Sequence, residues 1–210
     1  MDLSVNHNTG INGSGLKINI TPEEINSLPL RVFEGKTAVI SDAAKLPKVI
    51  KEIMKHEVVG FDTETRPAFK KGQVYQVALL QLAIPGKAFL VRIQHTGVTE
   101  EIAELFHSPA VIKAGVGIRD DLKALRKHRE FEPGSCLDLS ILAKQAGLQV
   151  ESVKKLTALL LGFRISKSSQ TSNWEAPTLT QKQIEYAATD AWVCLELYHK
   201  LKALLPPHHG

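Results

Sequence analysis

Cysteine is scarce in this chain of 210 residues. The two present, Cys136 and Cys194, lie far apart and outside any C-x-x-C spacing, which argues against a disulfide framework and a cysteine zinc site. A reducing cytoplasm is the compartment this leads us to expect. Long apolar runs are lacking as well: none approaches the roughly 18 residues of a membrane-crossing helix. The opening MDLSVNHNTG has neither the basic nor the apolar segment of a signal peptide, so no membrane partner is expected. Charge of one sign is not in large excess. Lys and Arg number 26 against 22 Asp and Glu, a formal charge of +4. That balance is compatible with a polyanionic partner and too common to identify one. Histidines such as His107, His128, His208 and His209 are scattered without ligand spacing and read as surface or core residues.

What is present is an ordinary globular composition, 43% hydrophobic and 23% charged, enough for one good core. Residues 1–20 are rich in Asn, Gly and Ser and read as a flexible arm. Residues 21–34 read as a short helical lead-in, with Thr21 and Glu24 forming a capping box around Pro22. Residues 35–205 carry the main domain, and 206–210 are a C-terminal tail. Within the domain the patterning predicts strands at TAVI (37–40), VVGFDTE (58–64), YQVALLQLAI (75–84), KAFLVRI (87–93) and VIKAGV (111–116). Helices are predicted from Ser41 or Asp42 to about Lys55, near 99–107 and from Ile118 to about Arg129, and the chain beyond 139 reads as mainly helical. The result is an α/β fold, a mixed sheet flanked by helices.

One strand ends oddly. VVGFDTETRP runs apolar residues into two carboxylates, and strand alternation puts Asp62 and Glu64 on one side with Thr63 on the other. Two like charges on one partly desolvated patch repel, and a bound cation relieves them. A second acid lies in the last long helix, which Thr180 and Gln183 open with a capping box. There Tyr186 and Asp190, four residues apart, share a face at about 5–6 Å between Cβ atoms. The neighbours of Asp190 are apolar around nearly the whole circumference, so its carboxylate is buried and needs a partner or a metal. KAGVGIRDDLKAL offers Asp120 and Asp121 at a helix start. The core stripe of Ile118, Leu122 and Leu125 runs beside Asp121 and nearly opposite Asp120, so Asp121 is chosen. Arg119, Lys123, Arg126 and Lys127 on the outer face read as solvated charge.

Four acids, a tyrosine and few histidines nearby suit Mg²⁺ or Mn²⁺ better than zinc. The segments VVGFDTE, LLQLA, KAGVGIRDDLKAL and SNWEAPTLTQKQIEYAATDA, in that order, resemble the three motifs of the DEDD superfamily of 3′-to-5′ exonucleases. The likeness is to the branch containing the Werner syndrome exonuclease and ribonuclease D. With Glu185 where one subgroup has histidine and Tyr186 where the other has tyrosine, the chain resembles the tyrosine (DEDDy) subgroup. The resemblance implies a ribonuclease H-like fold whose second strand is antiparallel. It also implies two divalent cations, Mg²⁺ or Mn²⁺, held by Asp62, Glu64, Asp121 and Asp190, with Tyr186 orienting the water. The substrate it implies is a nucleic-acid 3′ end, DNA or RNA, and the motif wording leans to DNA. Thr63, by its main chain, Lys167 and Trp174 are the candidate nucleic-acid contacts, although a loop tryptophan also reads as a packing anchor. Ribonuclease D-like processing of RNA and a non-catalytic nucleic-acid-binding module remain as alternatives. Protein partners are not readable from the sequence.

Overall fold

Thr21 accepts a hydrogen bond from the Glu24 N–H while Glu24 returns one to Thr21, and the predicted capping box opens α1 (Pro22–Ser27). In the computed structural model, which describes residues 17–70 and 72–205, the chain continues through a run of strands into alternating strands and helices. β1 (Lys36–Ile40) leads to α2 (Leu46–Ile53), entered through a short 3₁₀ turn that Asp42 caps. β2 (Val58–Thr65), β3 (Val77–Ile84) and β4 (Lys87–Val91) follow, then α3 (Ile93–Thr96), α4 (Glu100–His107), β5 (Ile112–Gly115) and α5 (Ile118–Arg126). β6 (Cys136–Asp138), α6 (Leu139–Gln145), α7 (Val153–Leu156) and the long α8 (Gln181–Leu204) complete the order.

The six strands form one sheet in the order β1-β4-β3-β2-β5-β6. β3 runs antiparallel to both its neighbours and the other pairings are parallel, the expected mixed sheet. The antiparallel strand is third in chain order because β1 precedes the pair and joins the far edge beside β4. β6 was not predicted. Its three residues are too short to display a period, and only pairing with β5 defines them.

Alternation along β2 divides the core. Val59 and Phe61 face one layer, with α2, α4 and α5, where they meet Ile53, Leu105, Phe106 and Leu125. Val58, Gly60, Asp62 and Glu64 face the other, where α8 lies across the middle of the sheet against β2, β3, β4 and β5. Gly60 makes that approach possible: a Cβ there would stand 2.2 Å from the Ala191 carbonyl oxygen and 2.6 Å from the Leu195 nitrogen.

Of residues 1–20, expected to form an arm, 17–20 are described. Ile20 is buried in the core beneath α6 and α8, and the Gln149 N–H donates to the Ile18 carbonyl at 2.8 Å. Residues 17–20 therefore have apolar and backbone partners that composition did not reveal. Residues 1–16 and the predicted tail at 206–210, with His208 and His209, lie outside the described residues. Among the described residues no helix is long and apolar enough to cross a membrane.

Candidate active site

The close packing of α8 on β2 brings Asp190 to the two acids at the end of the strand. Asp62, Glu64 and Asp190 each contribute a carboxylate oxygen to a group whose atoms all lie within 4.8 Å of one another. Asp190 is buried, while Asp62 and Glu64 are half-buried. Burial first, then the charges of Asp62, Asp190 and Asp121, raise Glu64 to about 9. Burial raises Asp190 to about 7 against the opposing hydrogen bond of Tyr186 and the charge of Lys154. Asp62 is pushed well above the usual carboxylate range by burial and by the charges of Asp190 and Asp121, although the Thr63 N–H donates to its Oδ1 at 2.9 Å. Without a cation, the three carboxyls cannot all ionise cheaply near neutral pH. An all-oxygen, all-anionic donor set fits a hard divalent cation and fits zinc poorly.

Asp121 stands apart from these three. It lies on α5, in the opposite layer of the sheet, and the Thr63 hydroxyl donates to its Oδ1. Thr63 does point away from Asp62 and Glu64, as alternation requires, but it was not expected to touch a member of the acidic set. At a strand end the two faces of a sheet are one residue apart, so Asp121 still raises both Asp62 and Glu64 by its charge. Burial raises Asp121 itself, opposed by the Thr63 hydrogen bond. The helical phase anticipated the difference in exposure between the neighbours: Asp120 is exposed and Asp121 half-buried. Arg119, Lys123 and Lys127 are exposed as expected, and Arg126 pairs with Glu130.

Tyr186 is buried one turn before Asp190. Burial, the charges of Asp190 and Glu64, and hydrogen bonding to Asp190 hold its phenol well above the ordinary tyrosine value. Trp174 corrects an expectation. It is fully buried, packs on Tyr186 with ring centroids 5.9 Å apart, and shares a cluster with Leu79 and Leu90 beneath the sheet, so it has no free face for a base. Gln183 holds that loop in place, its Nε2 donating to Ser172 Oγ and the Asn173 carbonyl at 3.2 and 3.1 Å while its side chain completes the predicted capping box. Lys167 is exposed.

Two residues escaped the sequence reading. Gln81 is fully buried, pairs across the sheet with Asp62, and has no partner for either amide atom among the described residues. Its signal was available as the one polar residue in VALLQLAI. Lys154 lies near enough for Asp190 and Glu64 to act on its ammonium group. Only the fold brings α7 to that position, and no spacing announces it.

Residues 37–206 match the profile of a family described as 3′-5′ exonuclease. The chain is 36% identical over 169 residues to exonuclease 3′-5′ domain-containing protein 2 of Drosophila melanogaster, covering 77% of this chain and 29% of that protein. It is 31% identical over 186 residues to the bifunctional 3′-5′ exonuclease/ATP-dependent helicase WRN of Mus musculus, covering 84% of this chain and 13% of that one. It thus spans less than a third of either relative. Among solved structures, ribonuclease D of Escherichia coli, described as an exoribonuclease involved in structured RNA processing, superposes with a TM-score of 0.74 at 22% identity. That alignment covers 80% of this chain and 45% of the other and speaks for the fold.

Proposed function

Since the chain belongs to the 3′-5′ exonuclease family, we propose that it hydrolyses the terminal phosphodiester at a polynucleotide 3′ end, releasing a nucleoside 5′-monophosphate and leaving a new 3′-hydroxyl. The convergence of Asp62, Glu64 and Asp190 carries the reading, because no ion pair among the described residues neutralises these three buried or half-buried carboxylates, and Lys154 and the hydrogen bonds of Tyr186 and Thr63 offset them only in part. Two divalent cations, Mg²⁺ or Mn²⁺, held by these three and Asp121, would supply an activated water and offset charge on the attacking and leaving oxygens.

The side chains then divide the remaining work. Asp62, Glu64 and Asp190 are the carboxylate donors on the α8 side of β2. Asp121 is the donor on the opposite side, its orientation kept by the Thr63 hydroxyl. Tyr186 keeps its proton at neutral pH, since its phenol is driven upward and away from the range of a general base. It therefore orients the attacking water without taking its proton. Trp174 acts only through Tyr186, as a buried support for the ring. The main chain at Thr63 and the exposed Lys167 are the proposed contacts with the substrate strand, the second through a phosphate.

DNA is the favoured substrate, because the motifs resemble the Werner-type branch, to which the mouse relative named WRN belongs by name. Asp190→Ala, or EDTA, should abolish release of 5′-monophosphates from a 3′ end, and activity that survives either treatment overturns the metal-dependent reading. Parallel assays on matched 3′-recessed DNA, single-stranded DNA and RNA decide the sugar. Faster release from RNA than from both DNA forms overturns the DNA preference while leaving the exonuclease standing.

A further inference from the structure

A cavity of about 490 Å³ opens between the lead-in helix α1 and the chain around α7. Lys154, Lys155, Arg164 and Lys167 line it, with Ile25 and Asn26 among the residues of the facing wall. Among the described residues no carboxylate lines it. None of the four cations forms an ion pair among the described residues, although seven such pairs occur elsewhere. Arg164 is firmly held: its Nε donates to the Leu28 carbonyl at 3.1 Å, its N–H to the Pro29 carbonyl at 2.9 Å, and its own carbonyl accepts from Arg31 at 3.0 Å. Lys154 spends one donor on Gln170 Oε1 at 3.1 Å and has others to offer.

This cavity adjoins the acids. A smaller one of about 200 Å³, bounded by Tyr186 and Asp190, shares Leu30, Ile165 and Ser166 with it. The two cavities thus adjoin, one reaching Asp190 and the other walled by cations that form no ion pair among the described residues. Four positive groups around a concavity repel one another, and concave low-dielectric walls focus their field on whatever enters. The occupant that relieves them is an oxyanion, and it must belong to a molecule that also reaches Asp190.

We propose that this basic cavity seats the phosphodiester backbone of the uncut strand, 5′ of the bond being hydrolysed, with Lys154 and Lys155 as phosphate contacts and Arg164 as a fixed wall. The proposal rests on the exonuclease reading and extends it, giving the lead-in segment a part in substrate binding. The same oxyanion chemistry is found on the released nucleoside 5′-monophosphate, so the two sources are tested side by side.

The measurement is fluorescence anisotropy of the full chain in EDTA with 5′-fluorescein-labelled single-stranded 12-mers, oligothymidylate and oligouridylate, titrated over salt. Unlabelled thymidine 5′-monophosphate serves as competitor. For Lys154→Gln/Lys155→Gln the slope of log Kd against log salt should fall by about 1.4, roughly 0.7 for each lost phosphate contact, with affinity about tenfold weaker at low salt. The matched charge loss Lys48→Gln/Lys51→Gln, on exposed positions of α2, should leave the slope unchanged. An unchanged slope in the first pair, an equal fall in both pairs, or weakened competition by the mononucleotide with intact 12-mer binding overturns the proposal. Stabilisation by Mn²⁺ in a thermal melt confirms that the variant is folded with its acid cluster intact. A wild-type chain that binds 12-mers but releases no nucleotide with Mn²⁺ overturns the exonuclease reading and not the seat.

Discussion

Glu64 illustrates what the site demands of single residues. Its carboxyl sits against Asp62 and Asp190, and the energy of ionising it depends on whether a cation shares the space. The sign of the pH effect follows. Its folded value, about 9, lies above the unfolded one, so the contribution to stability is present in full below about pH 4.5 and is lost as pH rises toward 9. Asp190, raised to about 7, behaves the same way over a narrower window. We expect the metal-free protein to lose stability steadily between about pH 5 and 9, and Mn²⁺ to stabilise it more at pH 8 than at pH 6. Thermal melts with and without Mn²⁺ check both statements. Glu64→Gln should flatten the metal-free profile, and an equally steep profile would contradict the assignment. At this scale the sequence was informative about candidates: Asp62, Glu64, Asp190 and Tyr186 were singled out from alternation and helical spacing, and they lie together. It left Trp174 between a nucleic-acid contact and a packing anchor, because burial of a loop side chain depends on what the rest of the chain lays over it.

Between elements, the contact that matters most is α8 on β2. Asp190 reaches the other acids only because a glycine lets the helix backbone come within touching distance of the strand at Gly60. Gly60→Ala inserts a methyl where the Ala191 carbonyl already sits, so α8 must shift. Overpacking of this kind costs about 1–3 kcal/mol, readable in urea unfolding. The larger consequence is local: the displaced Asp190 should lessen or abolish the thermal shift caused by Mn²⁺. A Gly60→Ala protein with an undiminished metal shift would show that the close approach does not set the site. Periodicity predicted the longer elements well, including α8, whose register its capping box secured. β6 and the 3₁₀ entry into α2 are too short for a period to form, and their identity comes from partners.

For the whole molecule, residues on the two sides of the expected boundary at 35 are in contact. Ile20 is buried with Leu148 and Val150 in one cluster, against which Ile18, Ile25 and Leu28 pack. The Phe33 N–H donates to Thr189 Oγ1 at 2.9 Å, and its ring lies 5.9 Å from that of Trp192 on α8. We propose that the lead-in folds with the domain as one unit. A chain trimmed to residues 35–205 should then be markedly less stable, since each fully buried Ile or Leu side chain is worth about 1.5–3 kcal/mol. Calorimetry of the trimmed and full chains tests this, and an unchanged melting temperature would restore the boundary at 35.

The sequence by itself determined the α/β class, the capped helices and the residue types of the acidic set, because these depend on periods of two and 3.6 and on neighbours within a turn. Tertiary structure alone decided which acids meet. Asp62, Glu64 and Asp190 share one face of β2, while Asp121 comes from the other and is tied to Thr63. It also decided that Lys154, Lys155, Arg164 and Lys167 line one cavity beside them. Those placements join residues up to 128 positions apart, from Asp62 to Asp190, and no local pattern encodes a distance between faces of a sheet.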